Sequence, residues 1–167
     1  ISAPTFPMTR DESKLGSFTV FLSGIIQGSY TDDGLHAQDY RDALRKVITA
    51  VHPEAEVICP VELNPDSSEY NEKVSRTAFI EEIELAASSD VTVAYAPVAT
   101  MGTAVEMYRA YAAGALVYTI SPMARNWAVR FLSTRVFADV SEFEMFVHEG
   151  GIGRAVLNKQ HKNGSNY

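Results

Sequence analysis

A single doubly wound α/β domain, with a parallel sheet of about five strands and helices on both faces, is the fold that this sequence predicts. Three observations lead there. Short apolar runs rich in β-branched and aromatic residues alternate with segments of helical periodicity. The runs stay apolar along their length, as strands buried on both faces do. The segments between them are long enough to hold the crossover helices that parallel pairing requires.

The elements follow in order. Residues 17–23, SFTVFLS, form the first strand and end in a glycine-containing loop, GIIQGSYTDDG. Residues 37–51 place Tyr40, Leu44, Val47, Ile48 and Val51 on one helical face. EVICP is a short strand stopped by Pro60. The polar loop VELNPDSSEYNEK then leads to a helix over 74–88, with Phe79, Ile83, Ala86 and Ala87 inward. VTVAY, residues 91–95, is a buried strand. After APVATMG a helix opens at Thr103 and ends with Gly114 at its C′ position. ALVYTI, residues 115–120, is the fourth strand. ARNWAVRFL is a helix packing Trp127 and Phe131 inward at i, i+4, RVFADV is a short fifth strand, and a closing helix runs over 141–150 or beyond. Residues 1–16, with two prolines and several charges, read as an N-terminal arm outside a domain of residues 17–167. This alternation is that of flavodoxin-like and Rossmann-like architectures.

Composition narrows the function. The 167 residues suit one domain that buries about two-thirds of its unfolded surface. A net charge of −7 disfavours nucleic acid polymers and anionic membranes, both of which need a basic face. No apolar stretch is long enough to span a bilayer. A nucleotide-sized ligand stays compatible, because backbone amides bind phosphate within an acidic protein. The one cysteine, Cys59, excludes an intrachain disulfide, reads as a small buried hydrophobe and fits a reducing, cytoplasmic compartment. His36, His52, His148 and His161 lack metal-ligand spacing, so no metal is expected. The Asn163 sequon, with no secretory signal ahead of it, reads as chance.

In open α/β sheets ligands bind beyond the carboxyl ends of the strands, near the point where strand order reverses. Three segments fall there: SGIIQGS, PVATMG and SPMARN. Gly24 and Gly28 permit close backbone approach or simply serve a turn; the loop is neither a G-x-G-x-x-G fingerprint nor a P-loop. Two roles fit Glu106. With Thr103 three residues earlier it completes a capping box. It also stands in the first turn after a central strand, where a helix N-terminus keeps a carboxylate ionised as a nucleophile must be, and where Gly102 and Ala104 leave room for substrate.

From about Phe18 to Phe146 the chain resembles the nucleoside 2-deoxyribosyltransferase-like family, which includes base-exchanging transferases and nucleoside 5′-monophosphate N-glycosidases. The residues carrying the resemblance are VFLSGIIQGS, EEIELAASSDVTVAY and MGTAVEMYRAYAAGA. The last holds the family's nucleophile pattern, G-[TV]-[AG]-x-E, and the resemblance implies that Glu106 attacks the anomeric carbon of a sugar. Members usually carry an aspartate eight residues before the one that opens the third strand. Here the two positions are Glu82 and Asp90, so Glu82 is the implied partner of the leaving base and Asp90 a structural residue that caps or ends the preceding helix.

The same resemblance implies a substrate shell of Phe21, Ser23, Gly24, Gln27, Gly28, Ser29, Thr100 and Gly102. Phe21 stands where deoxyribose-acting members often have tyrosine and resembles the pyrimidine ribonucleotide glycosidases. Ile25 and Gln27 replace a serine and an arginine of the monophosphate hydrolases, which removes a bidentate phosphate contact and favours free nucleosides. Asn126 and Arg130 align with the region that members lend to a neighbouring subunit, and they fit an ordinary amphipathic helix equally. Met107 and Tyr111 read as core or as dimer contact, and a homodimer or larger homo-oligomer is implied.

The expected function is cleavage of the N-glycosidic bond of (deoxy)nucleosides through a covalent glycosyl-glutamate, with transfer to another free nucleobase and no cofactor. Hydrolysis of nucleoside 5′-monophosphates is the alternative. A non-catalytic nucleotide-binding sensor on the same fold is the rival from another class.

Overall fold

The structure is a computed structural model and describes residues 15–28, 30–31 and 34–164. Its sheet has five parallel strands: Phe18–Gly24 (β1), Ala55–Ile58 (β2), Val91–Tyr95 (β3), Leu116–Ile120 (β4) and Arg135–Phe137 (β5), in the order β2-β1-β3-β4-β5. Val20 at the centre of β1 pairs with Val57 on one side and Val91 on the other. Among the described residues there are seven α-helices, Asp39–Val51 (α1), Pro60–Leu63 (α2), Glu72–Ser88 (α3), Met101–Ala112 (α4), Trp127–Leu132 (α5), Val140–His148 (α6) and Gly151–Gly164 (α7), and a 3-10 turn at Ser67–Glu69. The expected doubly wound sheet is present, and its order reverses between β1 and β3. Among the described residues no helix is long and apolar enough to cross a membrane.

Because side chains alternate along a strand, β1 feeds two cores. Phe18, Val20 and Leu22 join Leu44 and Ile48 of α1 with Phe143, Val147, Ile152 and Val156 of α6 and α7. Phe21 points the other way and packs with Ala86 of α3 and Met107 and Ala110 of α4. Ser23 therefore follows Phe21 on the α3–α4 side, at the carboxyl end of the strand.

Gly114 takes the expected place after α4: its amide bonds Tyr111 O and that of Ala115 bonds Ala110 O, each at 3.0 Å, the paired bonds of a Schellman ending. Four expectations need correction. Helix α4 opens at Met101, with Thr100 as N-cap, so Thr103 lies inside it and is buried. Gly102, a poor helix former, masks that earlier start in the sequence. Phe79 is exposed. A helix of 17 residues is about 26 Å long and outruns strands of four to seven residues, so α3 is exposed from Glu72 to Glu81 apart from Ala78. Trp127 and Phe131 are also exposed, because the six-residue α5 turns Val129 inward and leaves their ring pair on its outer side. The closing helix is two helices, α6 and α7, separated by a turn at Glu149 and Gly150.

Asp90 is structural, as expected, but Ser89 ends α3. The Asp90 carboxylate accepts from the amide and the hydroxyl of Thr19, at 2.9 and 3.1 Å, and ties the start of β3 to β1. Of the expected arm, residues 1–14 lie outside the described part, and Leu15 packs against the larger core. Asp90→Ala leaves the Thr19 amide without its acceptor and should cost about 1–3 kcal/mol in urea unfolding, with Asp90→Asn costing less.

Candidate active site

Five elements converge at the carboxyl end of β1. The strand brings Ser23, whose hydroxyl donates to Glu106 Oε2 on α4. Helix α3 brings Glu82, which accepts from Asn64 Nδ2 at 2.8 Å, and Asn64 Oδ1 accepts from the Tyr70 hydroxyl at 3.3 Å. From α1 come Tyr40, whose hydroxyl donates to Ile25 O at 3.1 Å, and the buried Arg41. Tyr40 stacks on Tyr95 at the end of β3, ring centroids 4.2 Å apart. Tyr95 also lines a cavity of about 440 Å³ with Pro97, Ile120, Ser121, Asp139 and Ser141.

Glu106 is only 8% exposed. Burial pushes its carboxyl up to about 7 from an ordinary 4.5; the Ser23 hydrogen bond and Arg41 oppose that rise, and repulsion from Glu82 adds to it. Glu82 is raised as well, by burial first, against the Asn64 hydrogen bond and Arg41. The expectation that the α4 N-terminus keeps Glu106 ionised is therefore corrected. Glu106 is the sixth residue of α4, past the first turn where the dipole acts, and desolvation dominates. The capping box is absent too, since Thr100 starts the helix and the Glu106 carboxylate reaches Ser23. Two carboxyls with raised proton affinity, one fully and one half buried, are the arrangement that acid–base and nucleophilic chemistry near neutral pH needs.

The other expected residues divide. Phe21 is fully buried against Ala86 and Met107, a core side chain beneath Ser23 with no face toward a ligand. Gly24 is required by Tyr40: a Cβ there would stand 2.9 Å from two ring carbons. Gly28 has φ 61°, the left-handed turn glycine favours, and Gln27 O accepts from Tyr30 N at 3.3 Å in the same loop. Ser29 lies outside the described residues. The Thr100 hydroxyl is 3.3 Å from that of Thr103. A Cβ at Gly102 would meet nothing within 4 Å, so the start of α4 is open. Asn126 is the N-cap of α5, accepting from the amides of Ala128 and Val129, and exposed Arg130 lies over the Phe131 ring, so their contacts are within α5. Among the described residues, no three of His, Cys, Asp and Glu converge as metal ligands do.

Arg41 escaped the sequence reading. The signal was present: an arginine in register with Leu44 and Ile48 at i, i+3, i+7 on an apolar helix face is a buried charge.

Fold and site together define a doubly wound α/β domain with one buried and one half-buried carboxyl, Glu106 and Glu82, at its topological switch point. The sequence matches no protein-family model and no curated protein. Among solved structures, its fold is shared with a 2-deoxyribosyltransferase from the psychrotolerant bacterium Bacillus psychrosaccharolyticus, at TM-score 0.58 and 18% identity over 75% of this chain and 90% of that one. A conserved protein of Enterococcus faecalis V583 aligns at TM-score 0.44 and 22% identity over 63% and 64% of the two chains. A CMP N-glycosidase of Clostridium botulinum aligns at 0.45 and 16% over 78% and 97%. At these identities the likeness is one of fold.

A carboxyl that binds its proton more tightly when folded lowers stability as pH rises from the unfolded value, about 4.5, to the folded value, about 7. The stability advantage of Glu106→Gln over the wild type should grow by about 3 kcal/mol across that window and level off above it, measured by urea unfolding at successive pH values.

Proposed function

We propose that the chain cleaves the N-glycosidic bond of (deoxy)nucleosides through a covalent glycosyl-glutamate and transfers the sugar to another nucleobase. The observation that carries this reading is Glu106: a desolvated carboxylate on α4, held by Ser23 at the switch point, with Glu82 acting on it. The fold shared with a 2-deoxyribosyltransferase supports it, as does the G-T-A-V-E sequence at residues 102–106.

In this mechanism a Glu106 oxygen attacks the anomeric carbon as the bond to the base nitrogen breaks, through an oxocarbenium-like transition state. Glu82, in its protonated form, gives the departing base its proton. The nitrogen of a second base then attacks the same carbon, the Glu106 ester opens, and the incoming base returns a proton to Glu82. Two inversions at one carbon retain configuration. Ser23 holds the Glu106 carboxylate in one orientation and relinquishes part of that bond as the ester forms. Desolvation sharpens the nucleophile, and it also means that only about half of Glu106 is ionised at neutral pH.

A homodimer belongs to the same reading. Met101, Val105 and Tyr108 form an exposed apolar line on α4 at i, i+4, i+7, and Trp127 and Phe131 extend it on the neighbouring α5. A second copy covering this face also brings Asn126 and Arg130, at the α5 end of the patch, to the interface. Sedimentation of Trp127→Asp with Tyr108→Asp should show a shift from dimer to monomer; a wild type already monomeric at tens of micromolar removes the dimer from the proposal.

Chromatography of the protein with ribo- and deoxyribonucleosides and their 5′-monophosphates, with and without a second base, tests the reaction. A new nucleoside that forms only with added base is the expected product, and Glu106→Ala should lower its rate at least about a thousandfold with the fold intact. Free base released in water alone makes the enzyme a hydrolase. Intact substrates throughout, with thermal stabilisation by one of them, turn the reading to a sensor domain.

A further inference from the structure

One charged side chain beside the site is left without a role in that mechanism. Along β1 the amide of Ile25 donates to Tyr95 O of β3 at 3.1 Å, so the alternate carbonyls, those of Leu22 and Gly24, face β2. The β1–β2 register ends at Phe21 opposite Ile58. One step further, the amide due at Leu22 O belongs to residue 60, and Pro60 has none. Arg41 takes the vacated place: Nη1 donates to Leu22 O at 2.7 Å, Nη2 to Gly24 O at 3.1 Å and Nε to Gln38 Oε1 at 2.8 Å. The side chain is 4% exposed, and its guanidinium stands 5.0 Å from the Tyr40 ring centroid. Among the described residues it has no direct ion pair, and neutral oxygens take three of its five N–H groups. A full positive charge is thus fixed in a poorly solvated place, on the carbonyls of the two residues that flank Ser23, which holds Glu106.

We propose that Arg41 is a positioning residue for the carboxylate pair: clamped on the frayed edge of β1, it acts through space as the fixed counter-charge of Glu106 and Glu82 and holds the strand end that carries Ser23. The inference rests on Glu106 being the reacting group. Three of the five guanidinium N–H groups are turned onto the protein and the residue is buried, so in this role it acts on the carboxyls from a distance and makes no contact with substrate. Its charge lowers the proton affinity of both carboxyls, against the burial that raises it. The other titratable groups coupled into the cluster are Tyr40 of α1, Tyr95 of β3 and Cys59 after β2. Burial raises the Tyr40 hydroxyl, so it stays neutral, and Arg41 is the cation that acts on both Glu82 and Glu106. An arginine suits the place because its planar fork spans two carbonyls and keeps its proton at any working pH.

The test is the titration of Glu106 in ligand-free protein, by NMR of side-chain ¹³C-labelled glutamate assigned with Glu106→Gln, in wild type, R41K, R41Q and R41M. R41M fills the volume of the apolar stem, and trimethylamine N-oxide holds the neutral variants folded if they need it, as near-UV circular dichroism reports. R41Q and R41M should raise the Glu106 midpoint by about one pH unit, and R41K should leave it within about half a unit. In the pH profile of kcat/KM the limb that rises as Glu106 ionises should move up by about one pH unit in R41Q and R41M and by less than about half a unit in R41K, while the falling limb set by protonated Glu82 moves the same way. A midpoint unmoved in the neutral variants, a shift in R41K as large as theirs, or a pH profile of kcat/KM that falls in height without moving along the pH axis overturns the proposal. The titration needs no substrate, so a wild type inert toward nucleosides defeats the catalytic reading while the midpoint still reports on Arg41.

Discussion

The removal of the Glu106 carboxylate from water is the constraint around which the rest of the structure is arranged. An unpaired buried carboxylate is among the most costly groups a protein can hold. Here the cost is met in part by the Ser23 hydroxyl and in part by a guanidinium acting at a distance, and the remainder surfaces as raised proton affinity. Ser23, Arg41, Asn64, Glu82 and Glu106 are scattered over more than eighty residues of chain, yet all serve the ionisation of two acids.

That gathering is a product of topology. Crossovers leave β1 and β3 in opposite directions, which opens a crevice beyond their carboxyl ends, and the side chains there answer to each other. The frame is tightened at both ends of the strands. Thr19 and Asp90 lock β1 to β3 at the amino end, and the Tyr40–Tyr95 stack, which requires glycine at position 24, closes the other. The two cores are unequal. The larger lies under α1, α6 and α7, and the smaller, built on Phe21, Ala86 and Met107, sits directly below the carboxylates. The polar site thus occupies the thinner side of the domain, where packing is given up to chemistry, a usual exchange at functional sites.

Architecture of this kind carries many chemistries, and the fold shared with a 2-deoxyribosyltransferase at 18% identity speaks to architecture. The proposed glycosyl transfer rests on the acids themselves. A carboxylate that must both attack carbon and leave again needs a proton affinity neither very low nor very high, and burial with a fixed cation nearby gives that balance.

The sequence by itself determined the strands, the parallel sheet and Gly114 as the residue that follows α4, because these depend on local signals: apolar runs, helical period and a glycine at a helix end. It did not determine which faces are buried. Phe79, Trp127 and Phe131 have the spacing of core residues and lie outside, since helix length against strand length and the rotation of α5 are settled only when elements pack. Nor did it determine the first residue of α4, where Gly102 argues locally for a later start and the docking of Thr103 and Glu106 overrides it. The ionisation of Glu106 is the clearest division. Its place near a helix start favours the charged form, and only the tertiary structure, by burying the carboxyl near Glu82 against the opposing Ser23 hydrogen bond, turns that preference toward the proton.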